Sequence, residues 1–202
     1  MVIEPMKCGT EEFEVHLPEE LIAAELEPNR VELPQRTPAE HIRWALDHPV
    51  DSAPLKELVK AGDKVCIVIS DVTRRWQSPE TYIPVLIAEL ESAGIRDEDM
   101  LIISATGTHR RQTPEEHMGL VTKEVYERIE LVDHVCTDEE NLSYVGTTSR
   151  GTPVWLDKRA LACDKIILTG GVVYHFMAGF GGGRKSILPG IAGRETIMKN
   201  HN

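Results

Sequence analysis

The sequence predicts an α/β fold, a parallel sheet with helices on both faces, and three observations carry that prediction. Residues 64–70 and 100–105 are short runs of mostly apolar, β-branched residues with little polar alternation, as strands buried on both faces are. Each is followed by a helical stripe or a helix-opening motif, so strand and helix alternate. The 202 residues, 41% hydrophobic and 27% charged, suffice for one large domain burying roughly 70% of the surface its unfolded chain exposes. Disorder and a disulfide-stapled miniprotein are both excluded by that composition.

Taken in order, residues 1–60 read as an irregular covering segment of the same domain, punctuated by seven prolines from Pro5 to Pro54. Residues 13–17 alternate like an edge strand, and no core strand is expected in this segment. Thr37-Pro38-Ala39-Glu40 is a capping box that opens a helix running to about Asp47. Residues 61–202 carry regular patterning. Gly62 and Asp71 bound the strand at 64–70, and the next helix shows Ile83, Leu86, Ile87 and Leu90 on one stripe, with Pro84 near its start and Gly94 past its end. After the strand at 100–105, Thr113-Pro114-Glu115-Glu116 is a second capping box with Pro at the first helical position. A weaker strand at 131–136, a short helix at about 156–161 and a fourth strand at 165–169 complete a Rossmann-like domain. Residues 166–183 lack formal charge, but six glycines and His175 make them a strand and loop rather than a membrane span.

Charge and cysteine usage narrow the partners. Against 22 basic residues stand 33 acidic ones, a net −11, which repels nucleic acid and anionic membrane alike. Cys8, Cys66, Cys136 and Cys163 lie far apart with no metal-ligand spacing and read as reduced thiols. Glu4 and Pro5 fall where a secretory signal needs an apolar run, so a cytoplasmic location is expected.

In open α/β sheets ligands bind beyond the carboxyl ends of the strands. The segments after three strands are chemically loaded: Ser70-Asp71-Val72-Thr73-Arg74-Arg75-Trp76, then Gly107-Thr108-His109-Arg110-Arg111, then a Gly-rich loop ending at Gly190. Arg74, Arg75, Arg110, Arg111, Arg184 and Lys185 concentrate there in an acidic chain, which points to an anionic ligand, with about half of them expected to pair with acids instead. A phosphate-cradling Walker A motif aligned on Lys185-Ser186 needs Gly at 184, where Arg stands, and a helix next, where Pro189-Gly190 interrupts. His109 and His175 each follow a strand end, where two imidazoles suit acid–base work from opposite sides. His16, His41, His48, His117 and His134 read as surface or core residues, and His201 has no motif from spacing alone.

These residues also carry a resemblance. Ser70-Asp71-x-Thr73-Arg74, Gly107-Thr108-His109-Arg110, His175 followed by Ala178-Gly179-Phe180-x-Gly182-Gly183-x-Lys185, Pro189-Gly190 and Asn200-His201 resemble, in order, the N-terminal domain of the LarA-like lactate racemases. The resemblance implies a nickel-pincer nucleotide, a pyridinium-3,5-bisthiocarboxylic acid mononucleotide carrying nickel. It implies that Lys185 can join this cofactor covalently, that His201 completes the nickel coordination, and that His109 and His175 are the two general bases. Asp71, Thr73, Arg74, Gly182 and Gly183 would hold the cofactor, with Arg74 also placed to meet a carboxylate. The implied reaction is racemisation or epimerisation of a small 2-hydroxy acid by proton abstraction and reversible hydride transfer.

Two departures stand out: Arg75-Trp76 where the family often has Pro, and Gly181 where Ser is usual. Both bear on substrate choice and cofactor contacts. The family continues into a second domain, so the chain reads as a fragment expected to fold yet be inactive alone. A nucleoside-triphosphate-binding phosphate-loop protein and a non-catalytic nucleotide-binding domain stand as the alternatives.

Overall fold

The computed structural model describes residues 1–202 except Pro28, Arg30, Phe176, Met177 and Asn202. The chain forms two compact units, Met1–Gln35 and Arg36–Asn202. In the first, β1 (Val2–Cys8) pairs antiparallel with β2 (Glu11–Leu17), Val2 opposite Leu17 and Cys8 opposite Glu11. The edge strand expected at 13–17 lies in β2. Its partner escaped prediction because Pro5 interrupts the β pattern, yet a strand with a free edge tolerates a missing N–H.

The second unit opens with α1 (Pro38–Asp47) and a single turn, α2 (Leu55–Leu58). Thr37 caps α1: its hydroxyl accepts from the Glu40 amide, while the Glu40 carboxylate accepts from the Thr37 amide at 2.7 Å. Leu46 and Leu55 pack onto the sheet's helical layer and Arg43 pairs with buried Glu89, so these turns belong with the sheet. The units therefore divide at residues 35/36, whereas the sequence changes character near residue 60.

Then follow β3 (Val65–Ser70), α3 (Pro79–Ser92), β4 (Met100–Ala105), α4 (Pro114–Val121), α5 (Lys123–Arg128) and β5 (Glu130–Asp133). A hairpin of β6 (Leu142–Thr147) and β7 (Pro153–Asp157) precedes α6 (Lys158–Leu161) and β8 (Lys165–Leu168). The two-residue strands β9 (Tyr174–His175) and β10 (Gly179–Phe180) and the helix α7 (Arg194–Asn200) complete the order.

Four strands form a parallel sheet in the order β5-β4-β3-β8, with Val65 beside Met100 and Lys165. Alternation along β3 sends Val65, Ile67 and Ile69 to one face, packed with Ile83, Ile87 and Leu90 of α3 and Leu120 of α4. Cys66 and Val68 face the other way, against Ala160 of α6 and Ile191. Both faces are thus covered, as the unbroken apolar runs require. Helix was expected at 156–161, but Leu156 and Asp157 belong to β7 and only Lys158–Leu161 is helical. Asp157 caps that turn, accepting from the Arg159 amide at 3.0 Å, so the helix starts after it. The strand expected at 131–136 spans Glu130–Asp133; the His134 amide still donates to the Ser104 carbonyl at 3.0 Å, but the His134 carbonyl accepts from the Thr106 hydroxyl rather than from a strand amide.

Candidate functional site

Loops leave the carboxyl ends of β3, β4 and β8 on one side of the sheet, and an open crevice lies among them. After β3, Asp71 caps the 3-10 turn Val72–Gln77, one oxygen accepting from the Thr73 amide at 3.1 Å and the Thr73 hydroxyl at 2.5 Å. Its other oxygen meets His109 Nδ1, which comes from the loop after β4. Asp71 is 1% exposed and its carboxylate only accepts, so His109 Nδ1 carries the hydrogen, and in the neutral ring Nε2 keeps its lone pair. Arg74 Nη1 lies 3.5 Å from Asp71, at the outer limit of a bond.

Arg74, His109, His175, Gly182 and Lys185 all line the crevice. Asp71 and Thr73 stand one step behind His109, and Gly183 opens the 3-10 turn Gly183–Ser186 beside it. Gly182 has φ +72°, and a Cβ there would lie 3.0 Å from the Gly171 carbonyl oxygen, so the loop's path depends on glycine. The loops are tied together by the Gly107 amide, which donates to the Gly190 carbonyl at 3.0 Å.

Burial, reinforced by the positive charges of Lys185, Arg74 and His201, pushes the His175 imidazole below its ordinary range. Its Nδ1 accepts from the Ala178 amide at 3.2 Å. Lys185 is also lowered, by burial first and by Arg74 second, which raises the share of neutral amine. Among the described residues neither Lys185 nor Arg184 has an ion pair, whereas Arg110 is held by Glu116 at 2.6 Å. His201 ends α7, and its Nδ1 donates to the Ile197 carbonyl at 2.9 Å, leaving Nε2 unprotonated in the neutral ring. The influence of His201 on His175 puts it within electrostatic reach of the crevice.

Sequence reasoning did not single out Gln77, which lines the crevice and whose Oε1 is buried with no hydrogen-bond partner among the described residues. Nothing in its spacing marks it. His117 and His134 are buried structural residues, bonded to Asp133 at 2.9 Å and Asp157 at 3.0 Å.

Fold and crevice together define a parallel-sheet α/β domain with a cationic, histidine-bearing site at its strand ends. The family model described as lactate racemase N-terminal domain matches residues 8–202. Over 163 residues the chain is 37% identical to the lactate racemase of Lactiplantibacillus plantarum, covering 81% of this chain and 38% of that protein. With the lactate racemase of Thermoanaerobacterium thermosaccharolyticum it shares 34% identity over 160 residues, 79% of this chain and 37% of that one. The structure of the lactate racemase apoprotein from T. thermosaccharolyticum superposes with a TM-score of 0.81 and 31% identity, over 99% of this chain and 46% of that one. A protein from Thermotoga maritima superposes with a TM-score of 0.64 and 26% identity, over 81% of this chain and 40% of that one. The chain belongs to the lactate racemase N-terminal domain family. It spans less than two-fifths of the length of the curated relatives it matches.

Proposed function

We propose that this chain is the cofactor-binding and proton-transferring part of a 2-hydroxyacid racemase or epimerase that uses a nickel-pincer nucleotide. One observation carries the reading: two histidines from different loops, one of them oriented by a buried carboxylate, share a crevice with Arg74 and Lys185. The residues fit such a group. The nucleotide needs a cradle without side chains, which Gly182 supplies, and a hydrogen-bond acceptor for its hydroxyls, which the orphaned Gln77 oxygen supplies. Among the described residues no three His, Cys, Asp or Glu side chains group as a metal site, and a metal carried largely by its own cofactor asks for one protein ligand. His201 has the tautomer for it, with Nε2 free and Nδ1 fixed by a carbonyl. Lys185, with its amine lowered, suits covalent attachment.

When bound, the group supplies a reversible acceptor for the hydride on C2 of the substrate. The chain's own side chains do the rest. Arg74 holds the substrate carboxylate. His109 takes the hydroxyl proton at Nε2, and Asp71 stabilises the imidazolium that results. His175 gives a proton to the carbonyl oxygen of the planar keto acid, restoring the hydroxyl when C2 recovers its hydride from the other face. Its lowered pKa makes its imidazolium a readier donor, and using Nδ1 in exchange requires releasing the Ala178 amide. The phosphate-loop alternative loses support because Lys185-Ser186 sits in a 3-10 turn followed by Pro189, with no helix to receive a phosphate. No helix among the described residues is long and apolar enough to cross a membrane. A cytoplasmic setting and a small hydroxy-acid partner complete the proposal.

The test is metal analysis of protein produced alongside the cofactor's biosynthetic enzymes, together with a panel of chiral 2-hydroxy acids offered to a protein in which this chain is joined to the family's second domain. About one nickel per chain and inversion of at least one acid support the reading. Magnesium with bound nucleoside triphosphate would replace it with the phosphate-loop reading.

A further inference from the structure

His109 and Asp71 sit on different loops, and their hydrogen bond survives only if those loops keep their register. One side chain spans them. Gln112 follows His109 by three residues, and its Oε1 accepts from the Val72 amide, next to Asp71, at 2.6 Å. Its Nε2 donates to Ser104 Oγ at 2.7 Å and to Asp133 Oδ1 at 2.8 Å, while its own amide donates to Asp133 Oδ2 at 2.8 Å. The orientation of the side-chain amide is fixed by its partners, since a backbone N–H only donates and a carboxylate only accepts. Ser104 is fully buried at the end of β4, and Asp133 ends β5, so the far end of the bridge is anchored in the sheet.

Asp133 is in turn held by His117 Nε2 at 2.9 Å. Burial would raise its carboxyl, but the bonds from His117 and Gln112 outweigh burial and keep it below the ordinary range, ionised and able to accept all of them. On the other side, Arg110 is clamped to Glu116, and Thr113 caps α4, so the His109 loop is pinned at Arg110, Gln112 and Thr113. Among these fastenings Gln112 alone reaches the Asp71 loop by its side chain.

We infer that Gln112 is a positioning residue for His109: by tethering Val72 it holds the Asp71 carboxylate against Nδ1 and so keeps the Nε2 lone pair available. Its part in turnover rests on the racemase reading above; its effect on the imidazole does not. A group that only braced the fold would loosen every loop at the strand ends alike, whereas this one acts on a single tautomer.

The test is long-range proton–nitrogen NMR of the 202-residue chain labelled in its histidine rings, without substrate or cofactor. In the unaltered chain His109 is expected in the Nδ1–H form. In Gln112→Leu the ratio of Nε2–H to Nδ1–H at His109 is expected to rise roughly fivefold, the scale of one lost hydrogen bond, while the signals of His134, bonded to Asp157 and Ala192 outside this bridge, stay in place. An unchanged His109 ratio in folded Gln112→Leu, or equal changes at His109 and His134, would overturn the inference. Should Gln112→Leu fail to fold, Gln112→Asn decides: it keeps a side-chain amide but is one methylene too short to reach the Val72 amide from the same backbone position, and a shift at His109 without one at His134 supports the inference, whereas no shift at His109 refutes it. Because no turnover is read, a protein that racemises nothing leaves this result standing, and a negative result here leaves the racemase reading standing.

Discussion

Replacing Asp71 by Asn keeps the shape of the side chain and removes the property on which His109 depends. As a carboxylate, Asp71 accepts at both oxygens, from Thr73 on one and from His109 Nδ1 on the other. An amide has one accepting and one donating end. If the donating end faces His109, the ring must carry its proton on Nε2 and loses its basic nitrogen. If it faces Thr73, an amide N–H at 3.1 Å meets another donor and is left unsatisfied. The base-competent arrangement therefore costs about 1–3 kcal/mol, the price of one unsatisfied buried group. At 1.36 kcal/mol per tenfold, that is a loss of roughly 5- to 160-fold in the competent population and in the rate it limits. Polarimetry of a chiral 2-hydroxy acid with cofactor-loaded protein that includes the family's second domain measures the rate, and ring-nitrogen NMR of this chain measures the tautomer. A rate within twofold of the parent, or an unchanged His109 tautomer, would refute the reasoning.

Other consequences follow from the same geometry. In a protein that joins this chain to the family's second domain, His109→Ala and His175→Ala are each expected to slow racemisation at least about a hundredfold with folding intact, measured by polarimetry and circular dichroism. Lys185→Met removes a positive charge beside His175, so the imidazole should titrate at higher pH than in the parent, by NMR; the rise is partial because burial is the larger cause. The same substitution should abolish any cofactor adduct seen by intact-mass measurement. Burial would raise the fully buried Asp157, but Arg159 and His134 outweigh it and hold the carboxyl at about 2 against an ordinary 3.8. Its stabilisation is therefore complete above pH 3.8 and lost as pH falls towards 2, and Asp157→Asn should cost on the order of 3 kcal/mol near neutrality by urea titration and flatten that acid limb.

Most of the sheet was readable because burial on both faces leaves an unbroken apolar run, and β3 and β4 match the sequence expectation to within a residue. The capping boxes at Thr37 and Thr113 were equally legible, since their chemistry is local. The β6–β7 hairpin was not. Its strands are half-exposed and short, the register shifts between Tyr144 and Gly146, and Leu156-Asp157 reads as the start of a helix until Asp157 is seen capping it. The crevice loops announced themselves by residue type, so Arg74, His109, His175 and Lys185 were anticipated together. What the sequence concealed was pairing: Asp71 with His109, and Gln112 with Val72, join residues 38 and 40 positions apart through side chains whose types alone do not specify a partner. Gln77 was hidden for a similar reason, as an amide becomes informative only once its buried oxygen is found without a donor.

In the proposed reaction C2 loses and regains hydrogen as hydride, and the histidines of this chain handle only the hydroxyl proton. A 2-hydroxy acid deuterated at C2, racemised in ordinary water by cofactor-loaded protein that includes the family's second domain, tests it most directly. The inverted product is expected to keep its C2 deuterium, since hydrogen that leaves and returns as hydride does not exchange with the protons of water. Inverted product carrying solvent hydrogen at C2 would mean that a base of the crevice removes that hydrogen as a proton, and would contradict the account.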